Sequence, residues 1–130
     1  MKTLIIFLAL TFSVMFSSSS YAEWTKVDEN VNGSTFYVDF ERIRKHDGYV
    51  YWWNLSDYSK RLEEGFLSST SYLKGDCKLF RIKSLAENYF TEQMGGGLPK
   101  VWNLTEFQKR WRYVTPNSVN EVKLKEVCNQ

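Results

Sequence analysis

Residues that alternate between polar and apolar, separated by turns that contain glycine, constrain the fold of this chain most strongly. In residues 35–40 the apolar side chains of Phe36, Val38 and Phe40 occupy every second position. Alternation or a high content of β-branched and aromatic residues recurs in three later segments, residues 49–58, 66–73 and 79–90. Because successive side chains of a strand point to opposite faces, this pattern predicts antiparallel β-strands.

Turn sequences between these segments agree with antiparallel pairing. All seven glycines lie in or beside expected turns, and Asn32-Gly33 and Asp47-Gly48 are typical of tight hairpins. Such pairs tolerate the positive φ that two-residue hairpin turns require. In residues 79–90 the alternation shifts near Ser84-Leu85, which predicts a β-bulge in that strand.

The C-terminal segment has a pattern typical of a helix instead. Residues 119–127 contain good helix formers, and Thr115 offers a capping hydroxyl just before Pro116, a residue favoured at the first helical position. Lys123 and Lys125 lie toward the C-terminal end, where the helix dipole favours cations. We therefore predict an α+β fold in which a C-terminal helix packs on the sheet.

The first 22 residues have the organisation of a secretory signal peptide. Lys2 precedes an uncharged, largely apolar run at residues 4–16, and the small residues Ser20 and Ala22 follow at the positions that a signal peptidase recognises. This run is shorter than the ~20 apolar residues that a transmembrane helix needs. We predict a cleaved signal peptide at residues 1–22, a single domain at residues 23–130, and no transmembrane segment after cleavage. Since no cysteine follows the apolar run, we expect no lipid attachment there.

Two cysteines, Cys77 and Cys128, are the only ones in the chain. In an exported domain of this size they most simply form one disulfide. Two free thiols and an intermolecular bridge are the alternatives that the sequence leaves open. A loop of ~50 residues closed by a disulfide contributes about 4 kcal/mol in the chain-entropy model.

Composition excludes several function classes. With 17 Lys and Arg against 15 Asp and Glu, the formal net charge of +2 is too small for a typical nucleic-acid-binding domain. One histidine and two cysteines do not supply the about four nitrogen and sulfur ligands of a conventional zinc site. We therefore predict no nucleic-acid partner, no metal and no cofactor.

Residues that could carry chemistry have simpler structural interpretations. His46 precedes Asp47-Gly48 in a polar segment, and we interpret it as a solvated turn histidine rather than a catalytic base. Trp111 lies between Arg110 and Arg112, and we expect it to pack in the core while the two arginines face solvent. We predict no catalytic residue.

Short motifs occur in a characteristic order along residues 23–130. They are Glu23-Trp24, Thr35-Phe36-Tyr37-Val38-Asp39, Arg42-Ile43-Arg44, Val50-Tyr51-Trp52-Trp53, Asp57-Tyr58, Gly75-Asp76-Cys77, Arg81-Ile82, Tyr89-Phe90, the turn Met94 to Gly97, Trp111-Arg112-Tyr113-Val114, Pro116 with Ser118, and the final Cys128. In this order the chain resembles the surface-adhesin protein E-like domain family of Gram-negative bacteria. The resemblance covers essentially the whole domain.

The resemblance implies a single twisted antiparallel β-sheet of about six strands, with a C-terminal helix that packs on it and is tethered by a Cys77–Cys128 disulfide. It also implies a non-enzymatic binding role, since members of the family attach bacteria to host extracellular-matrix and plasma proteins and can form dimers. By position and charge, we predict that Lys78, Arg81 and Lys83, in the strand after Cys77, contact the partner. The alternative is a periplasmic accessory or inhibitor protein that binds another envelope protein or an apolar ligand. We expect the protein in the periplasm, at the cell surface or secreted.

Overall fold

In the computed structural model, which describes residues 22–130, eight strands form one antiparallel sheet. The strands are β1 Thr25–Glu29, β2 Thr35–Val38, β3 Arg44–His46, β4 Tyr49–Asp57, β5 Ser68–Asp76, β6 Arg81–Phe90, β7 Pro99–Trp102 and β8 Arg112–Tyr113. The sheet runs in the order β1-β2-β4-β5-β6-β7, while β3 pairs with β4 and β8 pairs with β6. One helix, α1 Val119–Cys128, follows the strands. The signal peptide predicted at residues 1–22 lies outside the described residues except for Ala22, and its cleavage stays a prediction.

The predicted α+β fold is confirmed, including the irregularity in its longest strand. Tyr72 of β5 is opposite Ala86, whereas the next residue, Leu73, is opposite Ser84. Leu85 is therefore the extra residue of a β-bulge, as the shifted alternation predicted.

The main order of the sheet contains six strands, in agreement with the predicted number of about six, and two short strands add to them. The short strands β3 and β8 each pair with only one neighbour and lie off the main order of the sheet. All residues of β3 and β8 are exposed, as are those of the edge strand β7. Without a buried side they carry no polar–apolar alternation, so only their tertiary pairing makes them strands.

Helix α1 covers one face of the sheet, which we call the helix face. Val50 and Trp52 of β4 are 2% and 1% exposed and pack in one apolar cluster with Leu124 and Val127 of α1, both fully buried. Close approach of helix and sheet depends on Gly75, since a Cβ atom there would lie 2.9 Å from Leu124 Cδ1.

The helix begins later than the sequence predicted. Ser118, not Thr115, is the N-cap, and its Oγ accepts a hydrogen bond from the backbone N–H of Glu121 at 3.2 Å. Asn117 has a φ of 63°, a left-handed conformation that prevents the helix from starting at Pro116. The hydroxyl of Ser118 also donates to the Thr115 carbonyl at 2.6 Å.

The disulfide predicted between Cys77 and Cys128 is present and joins the end of α1 to the turn after β5. No described helix, within residues 22–130, has the length and apolar character needed to cross a membrane.

Candidate functional site

The face of the sheet opposite α1, which we call the outer face, carries a layer of aromatic and basic side chains. Its members are Tyr49, Tyr51 and Trp53 of β4, Tyr72 and Lys74 of β5, Arg81 and Lys83 of β6, and Trp111 just before β8. All eight are half-buried, so they form a surface and not a second core. Sheet pairing explains the grouping, because directly paired residues of antiparallel strands point to the same face.

Lys74 lies at the centre of this layer. Its Nζ is 4.2 Å from the centroid of the Tyr49 ring, 5.6 Å from that of Tyr51 and 5.8 Å from that of Trp111. Lys74 is also paired directly with Lys83 across β5 and β6. Like charges opposite each other repel, and the surrounding ring faces offset this repulsion through cation–π attraction.

Trp111 joins the aromatic residues to the basic ones. Its ring centroid lies 5.6 Å from that of Tyr49, 4.4 Å from the guanidinium carbon of Arg81 and 5.8 Å from the Nζ of Lys83. The pairing of β8 with β6 brings Trp111 to this face. Tyr113 is opposite Arg81, and Trp111, two residues before Tyr113, points to the same side of the sheet. The sequence prediction that Trp111 packs in the core was wrong, whereas Arg110 and Arg112 are exposed as expected.

Arg81 has a structural partner as well as an aromatic one. Its Nε donates to Asp76 Oδ2 at 3.0 Å, and Asp76 Oδ1 accepts from the backbone N–H groups of Lys78 and Leu79. The hydrogen bond from Leu79 has the largest effect in lowering the pKa of Asp76, with Arg81 adding to it against the opposing effect of burial. Arg81 thus closes the turn between β5 and β6 and at the same time supports Trp111.

The three residues predicted as a binding set therefore occupy different positions. Lys83 lies on the outer face, Arg81 lies there but is engaged by Asp76, and Lys78 is exposed in the turn that precedes β6. Sequence reasoning missed Lys74 and the role of Trp111. The alternation of β5 could have placed Lys74 on the same face as Tyr72, whereas nothing local indicated where Trp111 would pack.

The part of the outer face around Trp53 continues the same chemistry. Trp53 and Tyr72 stack with ring centroids 5.0 Å apart, and the guanidinium carbon of Arg42 lies 6.0 Å from the Trp53 centroid. Arg44 of β3 is paired with Tyr51. Asp39 forms an ion pair with Arg42 as Asp76 does with Arg81, so Lys74, Lys83 and Arg44 supply the net positive charge of this face.

His46 is at the end of β3, next to the predicted turn, and its side chain is 74% exposed. Its Nε2 lies 3.1 Å from a carboxylate oxygen of Asp47. Within residues 22–130, no three His, Cys, Asp or Glu side chains group as a metal site would require.

The sheet thus has one face covered by α1 and, on the other, a half-buried layer of aromatic and basic side chains. The chain belongs to the surface-adhesin protein E family, whose model matches residues 24–129. Surface adhesins are not a class of enzyme.

Solved structures of Haemophilus influenzae protein E are similar in fold. Crystal form II has 18% sequence identity and a TM-score of 0.67, and the match covers 84% of this chain and 89% of that one. Protein E from non-typeable Haemophilus influenzae has 18% identity and a TM-score of 0.63, covering 86% of this chain and 79% of that one. At this identity the likeness shows the fold. No curated protein sequence matches the chain.

Proposed function

We propose that this protein is an exported, adhesin-like binding module that uses its outer face to attach to an acidic surface of a host extracellular-matrix or plasma protein. The observation that carries the proposal is the grouping of Lys74, Arg81 and Lys83 around the half-buried ring of Trp111, with all three cationic groups within 6 Å of its centroid. Family membership supports the adhesin role, and the identity of the partner protein is part of the proposal.

The residue types of the outer face suit a protein partner. Tryptophan, tyrosine and arginine are the residues most enriched among those that dominate protein–protein binding energies. Trp111 already contacts both Tyr49 and Arg81 before a partner binds, so little side-chain entropy is lost on binding. Lysines beside them attract acidic surfaces and raise the rate of association.

The predicted residues then have distinct roles. Lys83 and Lys74 contact acidic groups of the partner, and Arg81 holds Trp111 in place. Lys78 adds positive charge at the edge of the face, from its exposed position in the turn. We propose Trp111 as the aromatic residue that the partner buries.

Charge reversal tests this assignment. The double variant Lys74→Glu/Lys83→Glu is compared with Lys60→Glu/Lys125→Glu, which has the same change in net charge at two exposed lysines, one between β4 and β5 and one on α1. Binding to a panel of purified human extracellular-matrix and plasma glycoproteins is measured by surface plasmon resonance. We expect the outer-face variant to bind about tenfold more weakly or worse, mainly through slower and less salt-dependent association. Equal binding by the two double variants would exclude the outer face as the binding surface.

The site of action is tested on intact cells. Protease treatment that cuts this protein but spares a periplasmic marker would support display at the cell surface. If both are cut only after the outer membrane is opened, the protein is periplasmic, which would support the alternative of an accessory or inhibitor protein that binds another envelope protein or an apolar ligand.

A homodimer remains a further proposal. Strand β7 is an edge of the sheet and exposes Val101 and Trp102, which are 71% and 38% exposed. Unprotected edges tend to pair with another chain. A monomeric sedimentation profile across a wide concentration range would reject this proposal.

A further inference from the structure

A concave site lies on the helix face, on the other side of the sheet from the proposed adhesin surface. It is a cavity of about 290 Å³ between β4, β5 and β6, the first turns of α1, and the segment that joins β7 to β8. That volume is many times the ~10–15 Å³ of probe-occupied space that one water molecule needs. The cavity is therefore large enough for a monosaccharide.

Small polar residues on the sheet create this cavity. Where the alternation of the strands would place apolar side chains toward α1, the chain has Ser56, Ser69, Ser71 and Ser84. Three of the four are at most 9% exposed. Their side chains are too short to fill the space below the helix, and their hydroxyls line it with groups that both donate and accept hydrogen bonds.

Two basic residues and one acid face the same space. Lys123 of α1 is 5% exposed, and burial lowers its pKa to about 8 against the opposing effect of Asp28. Arg112 donates from Nη2 to Ser84 Oγ at 3.0 Å. Burial raises the pKa of Glu87, while Ser71 and Arg112 act in the opposite direction.

Asn54 supplies an acceptor that the protein itself does not use. The residue is 3% exposed and lines the cavity, and its Oδ1 has no hydrogen-bond partner within residues 22–130. A buried polar atom without a partner costs free energy, and native proteins rarely leave one. A ligand hydroxyl in the cavity would satisfy it.

From these contacts we propose that the cavity binds a sugar acid of hexuronate size. Lys123 and Arg112 bind its carboxylate, and Asn54 Oδ1, Glu87 and the serine hydroxyls bind its hydroxyl groups. With two cations and one carboxylate, the lining has a formal charge of +1, which one monoanion neutralises. The ligand occupies the opposite side of the sheet from the outer face, so this site is independent of the proposed adhesin function.

Titration of the purified exported protein tests the site. The probes are D-glucuronate and D-galacturonate, with D-glucose as a neutral sugar and acetate as an anion without hydroxyls. Binding is followed by isothermal titration calorimetry and by the backbone amide signals of Asn54, Ser71 and Ser84. We expect at least one hexuronate to bind saturably and to shift these signals. Glucose and acetate should each bind about tenfold more weakly or worse. Glucose lacks the carboxylate that makes charge-assisted hydrogen bonds, and acetate lacks the hydroxyl groups that make neutral ones.

Variants test whether a hexuronate binds in the cavity or is attracted nonspecifically by positive charge. Lys123→Met keeps most of the side-chain length and removes the charge. Arg112→Gln changes an exposed residue whose loss should not affect folding. Each should weaken hexuronate binding by about tenfold, whereas Lys125→Gln, an exposed lysine on the same helix, should not change it. The proposal is overturned if neither hexuronate shifts the three signals, if acetate or glucose binds as tightly, or if Arg112→Gln and Lys123→Met both bind like the unchanged protein.

Discussion

The guanidinium of Arg81 lies 4.4 Å from the centroid of the Trp111 ring while its Nε donates to Asp76 Oδ2 at 3.0 Å. One side chain therefore connects the turn after β5, the start of β6 and the segment before β8. The same contacts hold the aromatic centre of the outer face in place. A change at Arg81 should therefore affect both the stability of the fold and the binding surface. Lys83 lies on the same face but is not part of the ion pair with Asp76.

This difference predicts that Arg81→Gln destabilises the fold and Lys83→Gln does not. Removing Arg81 leaves the 8% exposed carboxylate of Asp76 without its charged partner, which should lower the free energy of unfolding by about 1–3 kcal/mol. Lys83→Gln should change it by less than ~0.5 kcal/mol. Urea denaturation of both variants measures the difference. Equal stability would mean that Asp76 is held by its backbone hydrogen bonds alone.

Gly75 is predicted to tolerate no larger residue. A Cβ atom at this position would lie 2.7 Å from Trp52 Cζ3 and 2.9 Å from Val50 Cγ1. Gly75→Ala should therefore overpack the contact between α1 and the sheet and cost about 1–3 kcal/mol.

Thermal unfolding checks this prediction against Gly96→Ala. Gly96 has a φ of −89°, and the atom nearest to a new Cβ there is the Gln93 carbonyl oxygen at 3.2 Å, so alanine should cost less at Gly96 than at Gly75. If the thermal unfolding midpoint of Gly75→Ala is as high as that of Gly96→Ala, α1 can move away from the sheet without loss of stability.

The disulfide is predicted to contribute most of its stabilisation through the unfolded chain. Cys77 and Cys128 are 51 residues apart, and closing a loop of that length contributes about 4 kcal/mol in the chain-entropy model. Cys77→Ser/Cys128→Ser should lose stability of this order in urea denaturation. Adding a reductant should destabilise the unchanged protein and leave the double variant as it was; an effect on both would point to some other cause.

The burial of Lys123 predicts that the stability of the fold rises with pH. The folded protein releases the Lys123 proton at about pH 8, whereas an unfolded lysine keeps it until about pH 10.4. The unfolded state binds more protons in this range, so the free energy of unfolding should increase as pH rises from about 8, by up to ~1.4 kcal/mol per pH unit. Above pH 10 the trend reverses, because burial raises the pKa of Tyr89 to about 12 and its folded form then binds more protons.

Lys123→Met isolates this contribution. It should remove the rise between about pH 8 and 10 and stabilise the protein at pH 7 by about 1–3 kcal/mol, since no cation is then buried. Lys125→Met, at an exposed position of the same helix, should keep the wild-type profile. Parallel pH profiles for the unchanged protein and Lys123→Met would contradict the burial of a charged Lys123.

Local sequence was sufficient to predict the elements that have one buried side. Val50 and Trp52 alternate with Tyr51 and Trp53, and this alternation predicted both the strand and the two faces that the structure shows. The extra residue at Leu85 was equally visible, because a bulge shifts the alternation by one position. Two cysteines in an exported chain predicted the bond that joins helix and sheet.

Tertiary structure alone decided where Lys123 and Trp111 lie. The helix dipole favoured Lys123 as a cation near the helix end, yet packing of α1 on the sheet buries it. Trp111 was expected in the core, and the pairing of β8 with β6 places it on the outer face instead. Likewise, nothing local distinguishes the serines of the cavity from other strand residues. They line a cavity only because β4, β5, β6 and α1 come together around it.

The sequence by itself therefore determined the faces of each strand, the turns and the covalent link, because alternation, glycine conformation and cysteine chemistry act over a few residues. Only the tertiary structure decided which side chains meet on the outer face and in the cavity. The outer face and the cavity bring together residues that are far apart in the chain, such as Lys74 and Trp111, which are in contact, and Asn54 and Lys123, which line the same cavity. The register between strands and the packing of α1 set such distances, and no local preference specifies them.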